Sequence, residues 1–357
     1  MTAHISVSAE HSYNILFQSA SAETLQPALI GASKVAIIAP SDLMHLAEPL
    51  INLLTESLKI EKVFFIEVPE GESQKNLSTV ERCWSILGSE NFRRNDVVMG
   101  VGGGATTDLA GFIAATWLRG INWIAIPTSL AGMVDAAIGG KTGINTETGK
   151  NLVGSFHSPK IVLVDTAYLG TLPANELKAG MAEVIKCGFI ADQRILEIIE
   201  ERDDFYDWQS KSLEELIYRS VAVKAEVVSK DLKESFLREA LNYGHTLAHA
   251  IERHQQYQWR HGDAVAVGMA FIANLTYEMG LSSRELLDRH QRILLKAGLP
   301  QNYPADAWPE LLNHMQSDKK SRSGGLRFVA VNNNYEVIRL EAVPNDLLER
   351  AYERISR

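Results

Sequence analysis

Two histidines four residues apart, a third a dozen residues further on, and a glutamate in an earlier apolar run have the types and spacing of a metal site. In LNYGHTLAHAIERH, His245 and His249 are one helical turn apart, so both imidazoles project from one face. His261 opens the next helical run in RHGDAVAVGM, and Glu183 sits in AGMAEVIKCG. Two imidazoles and a carboxylate leave a position open for substrate, the arrangement expected of a catalytic zinc rather than a structural one. Apolar helical surroundings strengthen this, because buried imidazoles and carboxylates need partners. Spacing alone leaves open which two of the three histidines join Glu183. Most histidines are not ligands: His254 and His290 read as ordinary surface residues, and His4, His11 and His45 lack partners.

Two glycine-rich stretches carry a second kind of chemistry. In GVGGGATTDLAGFIAATWLRG, an apolar run Val97 to Val101 leads into Gly102, Gly103 and Gly104 and then a helix starting near Thr106. Such a turn lets a ligand approach the backbone, and the helix N-terminus offers N–H groups to a pyrophosphate. The spacing is not the G-x-G-x-x-G of dinucleotide folds, so a plain strand-to-helix turn is an equal alternative, with Asp108 only a favourable charge near the helix start. The second stretch, IPTSLAGMVDAAIGGKTGIN with GKNLVGSFHSP, places Asp135, Lys141, Lys150 and Asn151 on a glycine-rich loop. Polar groups on a loop held by a rigid scaffold are common carriers of function. Either lysine could simply be solvated, but the Gly-Gly-Lys-Thr-Gly context favours anion or cofactor binding. The glycine spacing before the lysine is not that of a P-loop.

These residues must be positioned by two kinds of element. The first half alternates β-branched runs (35–38, 63–68, 97–101, 121–126, 161–164) with amphipathic stretches (43–58, 77–87, 107–118), after an opening hairpin over 5–17. That alternation predicts an α/β domain, a Rossmann-like parallel sheet flanked by helices, with ligand loops at one edge. From about Pro173 the periodicity turns helical, with continuous helices expected over 213–228, 237–253 and 264–279. LRFVAVNNNYEVIRL reads as a late hairpin before a closing helix from Asn345. The expected division is 1–173, an α/β domain, and 174–357, a mostly α-helical domain, packed closely with the active site between them.

Composition limits the partners. The chain has 357 residues, 46% of them apolar, enough for two cores, and a net charge of -9. That charge argues against nucleic-acid or anionic-membrane partners, so any phosphate must meet a local basic pocket. Cys83 and Cys187, far apart, exclude a thiolate zinc cluster and suit a reducing compartment. With no leader-like start and no membrane-spanning run, a cytoplasmic location is expected.

At these residues the chain resembles the 3-dehydroquinate synthase family over nearly its whole length. The resemblance is carried by PEGESQKN, GGGATTDLAGFIAATWLRG, MVDAAIGGKTGIN, GKNLVGSFH, GMAEVIKCG, KAEVV, REALNYGHTLAHAIE and HGDAVAVGM, in that order. It implies an N-terminal domain holding NAD, a helical domain supplying a divalent metal, zinc or cobalt, and a homodimer. The implied metal ligands are Glu183, His245 and His261, with His249 handling protons beside them. NAD is implied to contact Asp42, the turn Glu70, Gly71, Glu72, Ser73, Gln74 and Lys75, then Gly104, Ala105, Thr106, Thr107 and Asp108, and Thr128 and Ser129. Lys141, Lys150 and the segment Tyr168, Leu169, Gly170 and Thr171 belong to the same implied site. The substrate, a phosphorylated sugar acid, is implied to meet Asp135, Lys141, Asn151, Lys186, Lys224, Arg238, Asn242, His249 and Lys319. Of these, Lys141, Lys186, His249, Arg238 and Asn242 are the implied catalytic groups. Departures are conservative: Ala248 for a common Gly, Asp263 for Glu, and MVDAA for a more polar loop that keeps the Asp.

The implied reaction converts 3-deoxy-D-arabino-heptulosonate 7-phosphate to 3-dehydroquinate and phosphate. Oxidation at C5 acidifies the C6 proton, phosphate leaves, C5 is reduced, the ring opens and an aldol step closes the carbocycle. Two alternatives are another sugar-phosphate cyclase, of the 2-deoxy-scyllo-inosose or valiolone type, and a metal-dependent polyol dehydrogenase. Lys224, Arg238 and Asn242 favour a substrate with a carboxylate over the first, and the intact set of implied substrate residues argues against the second.

Overall fold

The computed structural model describes residues 3–232, 237–320 and 326–356, without the side chains of 237 and 317–320. The chain divides into two compact units, Met1–Leu172 with Lys224–Leu232, and Pro173–Val223 with Lys233–Arg357.

In the first unit, β1 (His4–Ser8) and β2 (Ser12–Leu16) form the expected antiparallel hairpin, burying Val7, Tyr13 and Ile15. A short helix α1 (Ala22–Leu25), closed by a Ser21–Thr24 capping box, leads into β3 (Lys34–Pro40), α2 (Met44–Asn52), β4 (Lys62–Val68) and α3 (Leu77–Ser89). Then follow β5 (Val97–Gly102), α4 (Gly104–Thr116) and β6 (Asn122–Pro127), the hairpin β7 (Lys141–Thr146) and β8 (Gly149–Phe156), and β9 (Ile161–Leu163). The seven-stranded sheet runs β1-β2-β9-β6-β5-β3-β4, parallel from β2 onward. Its central strands are buried on both faces, which is why they read as unbroken apolar runs in the sequence. Each fully covered Ile or Val, such as Val35, Ile37 and Ile38, contributes about 1.5–3 kcal/mol. Strand order reverses between β3 and β5, and a ligand crevice is expected outside the carboxyl ends of strands at such a switch point.

Two features differ from the sequence reading here. The helix after the triple glycine starts at Gly104 rather than near Thr106, with Gly103 in the cap position. The stretch read as a glycine-rich loop is instead a π-helical turn, Gly132–Ala136, followed by β7 and β8 paired antiparallel. Glycines hide the strand alternation there because the backbones nearly touch: a Cβ on Gly154 would lie 2.3 Å from the Thr142 carbonyl oxygen.

The second unit holds α5 (Ala174–Ile190), α6 (Gln193–Glu201), most of α7 (Lys211–Lys230), α8 (His245–His254), α9 (His261–Glu278), α10 (Arg284–Lys296) and α11 (Trp308–Lys320). The hairpin β10 (Arg327–Val331) and β11 (Val337–Glu341) and the closing helix α12 (Asn345–Glu353) complete it. Helix α9 is apolar all round and buried along most of its length, as a core helix must be. Its neighbours come unusually close at two glycines. A Cβ on Gly262 would lie 1.8 Å from the Ala179 oxygen of α5, and one on Gly268 would lie 1.9 Å from the Gly244 oxygen just before α8. These notches fix α5 and the start of α8 against α9.

The helix expected over 237–253 is not continuous. A 3-10 turn, Leu237–Asn242, ends at Gly244, whose φ of 78° is left-handed, and α8 begins at His245. Arg238 and Asn242 therefore do not share one α-helical face with His245.

Candidate active site

The notched packing around α9 brings together three residues from three helices. Glu183 on α5, His245 at the start of α8 and His261 at the start of α9 offer donor atoms all within 4.8 Å of one another. The Glu183 Oε1 lies 3.6 Å from His245 Nε2 and 3.3 Å from His261 Nε2. A tetrahedral ion with bonds of about 2.0–2.2 Å holds its donors roughly 3.3–3.6 Å apart, so these separations suit one. Glu183 is 1% exposed, and this Oε1 is buried without a hydrogen-bond partner. An orphaned carboxylate oxygen facing two imidazole nitrogens is costly unless a cation completes it.

Charge in the cluster is set by its neighbours. Burial opposes ionisation of Glu183, but the Lys186 ammonium on its other oxygen, with His261 and His245, holds it well below the usual carboxylate range. Burial first, and then Lys186, push His245 down to about 3, so it stays neutral. Its Nδ1 lies 3.0 Å from the Tyr243 backbone oxygen, leaving Nε2 toward Glu183. For His261 burial works downward, but the Glu183 and Glu252 carboxylates on its two ring nitrogens outweigh it, pushing the imidazole up to about 10. His249, one turn after His245, is exposed and stands with its ring centroid 5.6 Å from that of His245 and 6.4 Å from that of His261.

The residues expected to meet NAD lie in the first unit, in segments that follow the parallel strands. Asp42 follows β3, Glu70 to Lys75 follow β4, Gly104 to Asp108 follow β5, Thr128 and Ser129 follow β6, and Tyr168 to Thr171 follow β9. Helix α4 starts with no side-chain cap on its N-terminal N–H groups, which leaves them to an anionic ligand. Lys75, 3% exposed, donates to Asp108 at 2.7 Å and also bonds Asn151 on β8. Burial opposes its charge, but Asp108 and Glu72 raise its pKa. Asn145 on β7 donates to Glu72 at 2.7 Å, so the hairpin is tied to the turn after β4.

The expected substrate residues fall into separate groups. Lys224, buried on α7, bonds the Asp135 backbone oxygen at 2.7 Å and its carboxylate, so these two are mutual partners. Lys141 begins β7, exposed, while Lys150 is half-buried and Asn151 exposed on β8. Arg238 is 1% exposed and Asn242 half-buried, both in the 3-10 turn. The side chain of Lys319 lies outside the described residues.

Several sequence expectations need correction. His290 is buried, not a surface residue: its Nε2 lies 2.7 Å from the Tyr243 hydroxyl, and Phe189 stacks on its ring at 3.6 Å. His254 bonds the Tyr303 hydroxyl at 2.7 Å, His11 lies 3.2 Å from the Pro159 oxygen, and His45 lies 2.8 Å from the Asp42 oxygen. Glu239 pairs with Arg327 and Arg339 of the late hairpin. Glu252, 4% exposed, was missed; with His245 and His249 it forms a 0, 4, 7 spacing along α8 that marks one helix face.

Comparison with known proteins adds to this geometry. Residues 65–179 match the family described as 3-dehydroquinate synthase N-terminal, and 180–321 match 3-dehydroquinate synthase C-terminal. A 3-dehydroquinate synthase of Nocardia farcinica is 52% identical over 337 residues, 94% of this chain and 90% of the relative. Among solved structures, ValA, a 2-epi-5-epi-valiolone synthase of Streptomyces hygroscopicus with NAD+ and Zn2+ bound, is 26% identical with a TM-score of 0.87, covering 98% of each chain. A 2-deoxy-scyllo-inosose synthase complexed with carbaglucose-6-phosphate, NAD+ and Co2+ is 26% identical with a TM-score of 0.84, covering 99% of this chain and 100% of the other.

Proposed function

The chain belongs to the 3-dehydroquinate synthase family, and from that premise we propose that it converts 3-deoxy-D-arabino-heptulosonate 7-phosphate to 3-dehydroquinate and phosphate. The observation that carries this at the site is the convergence of Glu183, His245 and His261 around an orphaned carboxylate oxygen. When bound, NAD+ and a divalent cation, zinc or cobalt, would supply a hydride acceptor and a Lewis acid for the C5 hydroxyl.

The chain's own residues have these parts. Glu183, His245 and His261 would hold the cation, and Lys186 keeps Glu183 ionised by pairing with its second oxygen. The open start of α4 would take the NAD pyrophosphate, and the Lys75–Asp108 pair braces that turn. Lys141, Asn151, Lys186, Lys224, Arg238, Asn242 and Lys319 bind and orient the carboxylate, hydroxyls and phosphate, where charge-assisted hydrogen bonds are strong. His249, exposed beside the two histidine ligands, moves a proton to or from the bound sugar. Most of the rate comes from holding the sugar so that its own phosphate lies near the C6 proton.

The reading as a different sugar-phosphate cyclase rests on the two solved structures, each 26% identical, against 52% for the 3-dehydroquinate synthase relative. Among the described residues no helix is long and apolar enough to cross a membrane. A cytoplasmic homodimer is the setting proposed on the family's pattern. Separate incubations with the heptulosonate phosphate and with glucose 6-phosphate, with products identified by mass spectrometry, test the substrate. Carbocycle from the first alone is expected; turnover of glucose 6-phosphate instead would favour the other cyclase.

A further inference from the structure

The two imidazoles that face Glu183 differ in what holds their other nitrogen. His245 Nδ1 meets a neutral backbone oxygen, that of Tyr243, at 3.0 Å. His261 Nδ1 meets a carboxylate oxygen, Glu252 Oε2, at 3.4 Å, while its Nε2 faces Glu183. Glu252 is 4% exposed on α8, and a buried carboxylate is expensive unless a partner balances it.

With Nε2 of His261 turned toward Glu183 and the ion, its remaining ring proton lies on Nδ1, directed at Glu252. A carboxylate there fixes tautomer and ring orientation and makes the imidazole a stronger donor.

We propose that Glu252 is a positioning residue of the metal centre, holding His261 through Nδ1 so that Nε2 faces the ion. This rests on the metal reading of Glu183, His245 and His261. An alternative part for Glu252, bracing the corner between α8 and α9, would affect stability without changing the bound ion.

The test is Co2+ binding to the full-length, chelator-stripped protein, measured by chelator competition and by the visible absorption of the bound ion. Glu252→Gln, which keeps shape but removes charge, is expected to weaken Co2+ binding by about 10–100-fold and to shift the absorption bands. Glu252→Asp, which keeps the charge on a shorter arm, is expected to recover part of the affinity, and it serves as the probe should the Gln variant not fold. His261→Ala is the control and is expected to lose the ion. Wild-type affinity and spectrum in Glu252→Gln or Glu252→Asp, with the ion lost in His261→Ala, would overturn the role of Glu252 alone. Retention of the ion in His261→Ala would overturn the metal reading beneath it.

Discussion

The Tyr243 hydroxyl lies 2.7 Å from Nε2 of His290, and both side chains are buried. The same tyrosine's backbone oxygen lies 3.0 Å from Nδ1 of His245, so a buried pair pins the segment that orients a candidate ligand. Tyr243→Phe keeps the ring but strands the His290 nitrogen. A loss of about 1–3 kcal/mol in stability is expected, read from urea unfolding. Unchanged stability would mean the bond contributes nothing net.

His290 also makes stability pH-dependent. Its Nδ1 donates to the Leu286 oxygen at 2.8 Å and its Nε2 accepts from Tyr243, so the folded ring is neutral, and burial pushes it down to about 4. Between pH 4 and the ordinary value of about 6.5 the unfolded chain binds the extra proton and the folded chain does not. Stability from this group is thus complete above pH 6.5 and lost as pH falls toward 4. Replacing it in His290→Asn should flatten the slope there by up to about 1.4 kcal/mol per pH unit, seen in urea midpoints across pH. Parallel profiles for the two proteins would contradict this.

What could be read from sequence depended on whether the cause was local. The strands β3, β5 and β6 lie within two residues of their apolar runs because burial on both faces leaves an unbroken pattern. The hairpin β7–β8 was hidden because Gly143 and Gly154 replace the side chains whose alternation would announce it. The break before His245 was hidden because apolar periodicity runs on through Gly244, whose left-handed φ separates the 3-10 turn from α8. His290 looked exposed among Asp288, Arg289, Gln291 and Arg292, and only packing against Phe189 and Tyr243 buries it. Glu183, His245 and His261 were legible as ligand types; the Glu252–His261 contact needs the corner between α8 and α9 and had no local sign.

The cofactor reading can be tested without disturbing the fold. A side chain at Gly104 would meet Ala136 Cβ at 2.8 Å, whereas one at Gly103, whose φ is -69°, meets only Ser129 Oγ at 3.4 Å. Gly103→Ala should therefore fold and keep its metal, yet bind NAD at least ~10-fold more weakly, because the methyl blocks backbone approach at the helix start. Calorimetric NAD affinity equal to wild type would place the pyrophosphate elsewhere.

Arg238 tests the charge of the substrate. It is 1% exposed in the 3-10 turn, and the neighbouring Glu239 pairs with Arg327 and Arg339 of the late hairpin. Arg238→Lys keeps the charge and loses the two-pronged geometry, and kcat/KM is expected to fall at least ~10-fold, about 1.4 kcal/mol. NAD affinity should not change. Wild-type kinetics would remove Arg238 from substrate binding.

The most direct test of the function is the ratio of phosphate released to NAD supplied. Metal-loaded protein is given excess 3-deoxy-D-arabino-heptulosonate 7-phosphate and a small amount of NAD+, while phosphate and NADH absorbance are followed together. A cyclase that returns its hydride each turnover should release many equivalents of phosphate per NAD with no NADH building up. One NADH accumulating per substrate consumed, or folded and metal-loaded protein releasing no phosphate, would contradict the account.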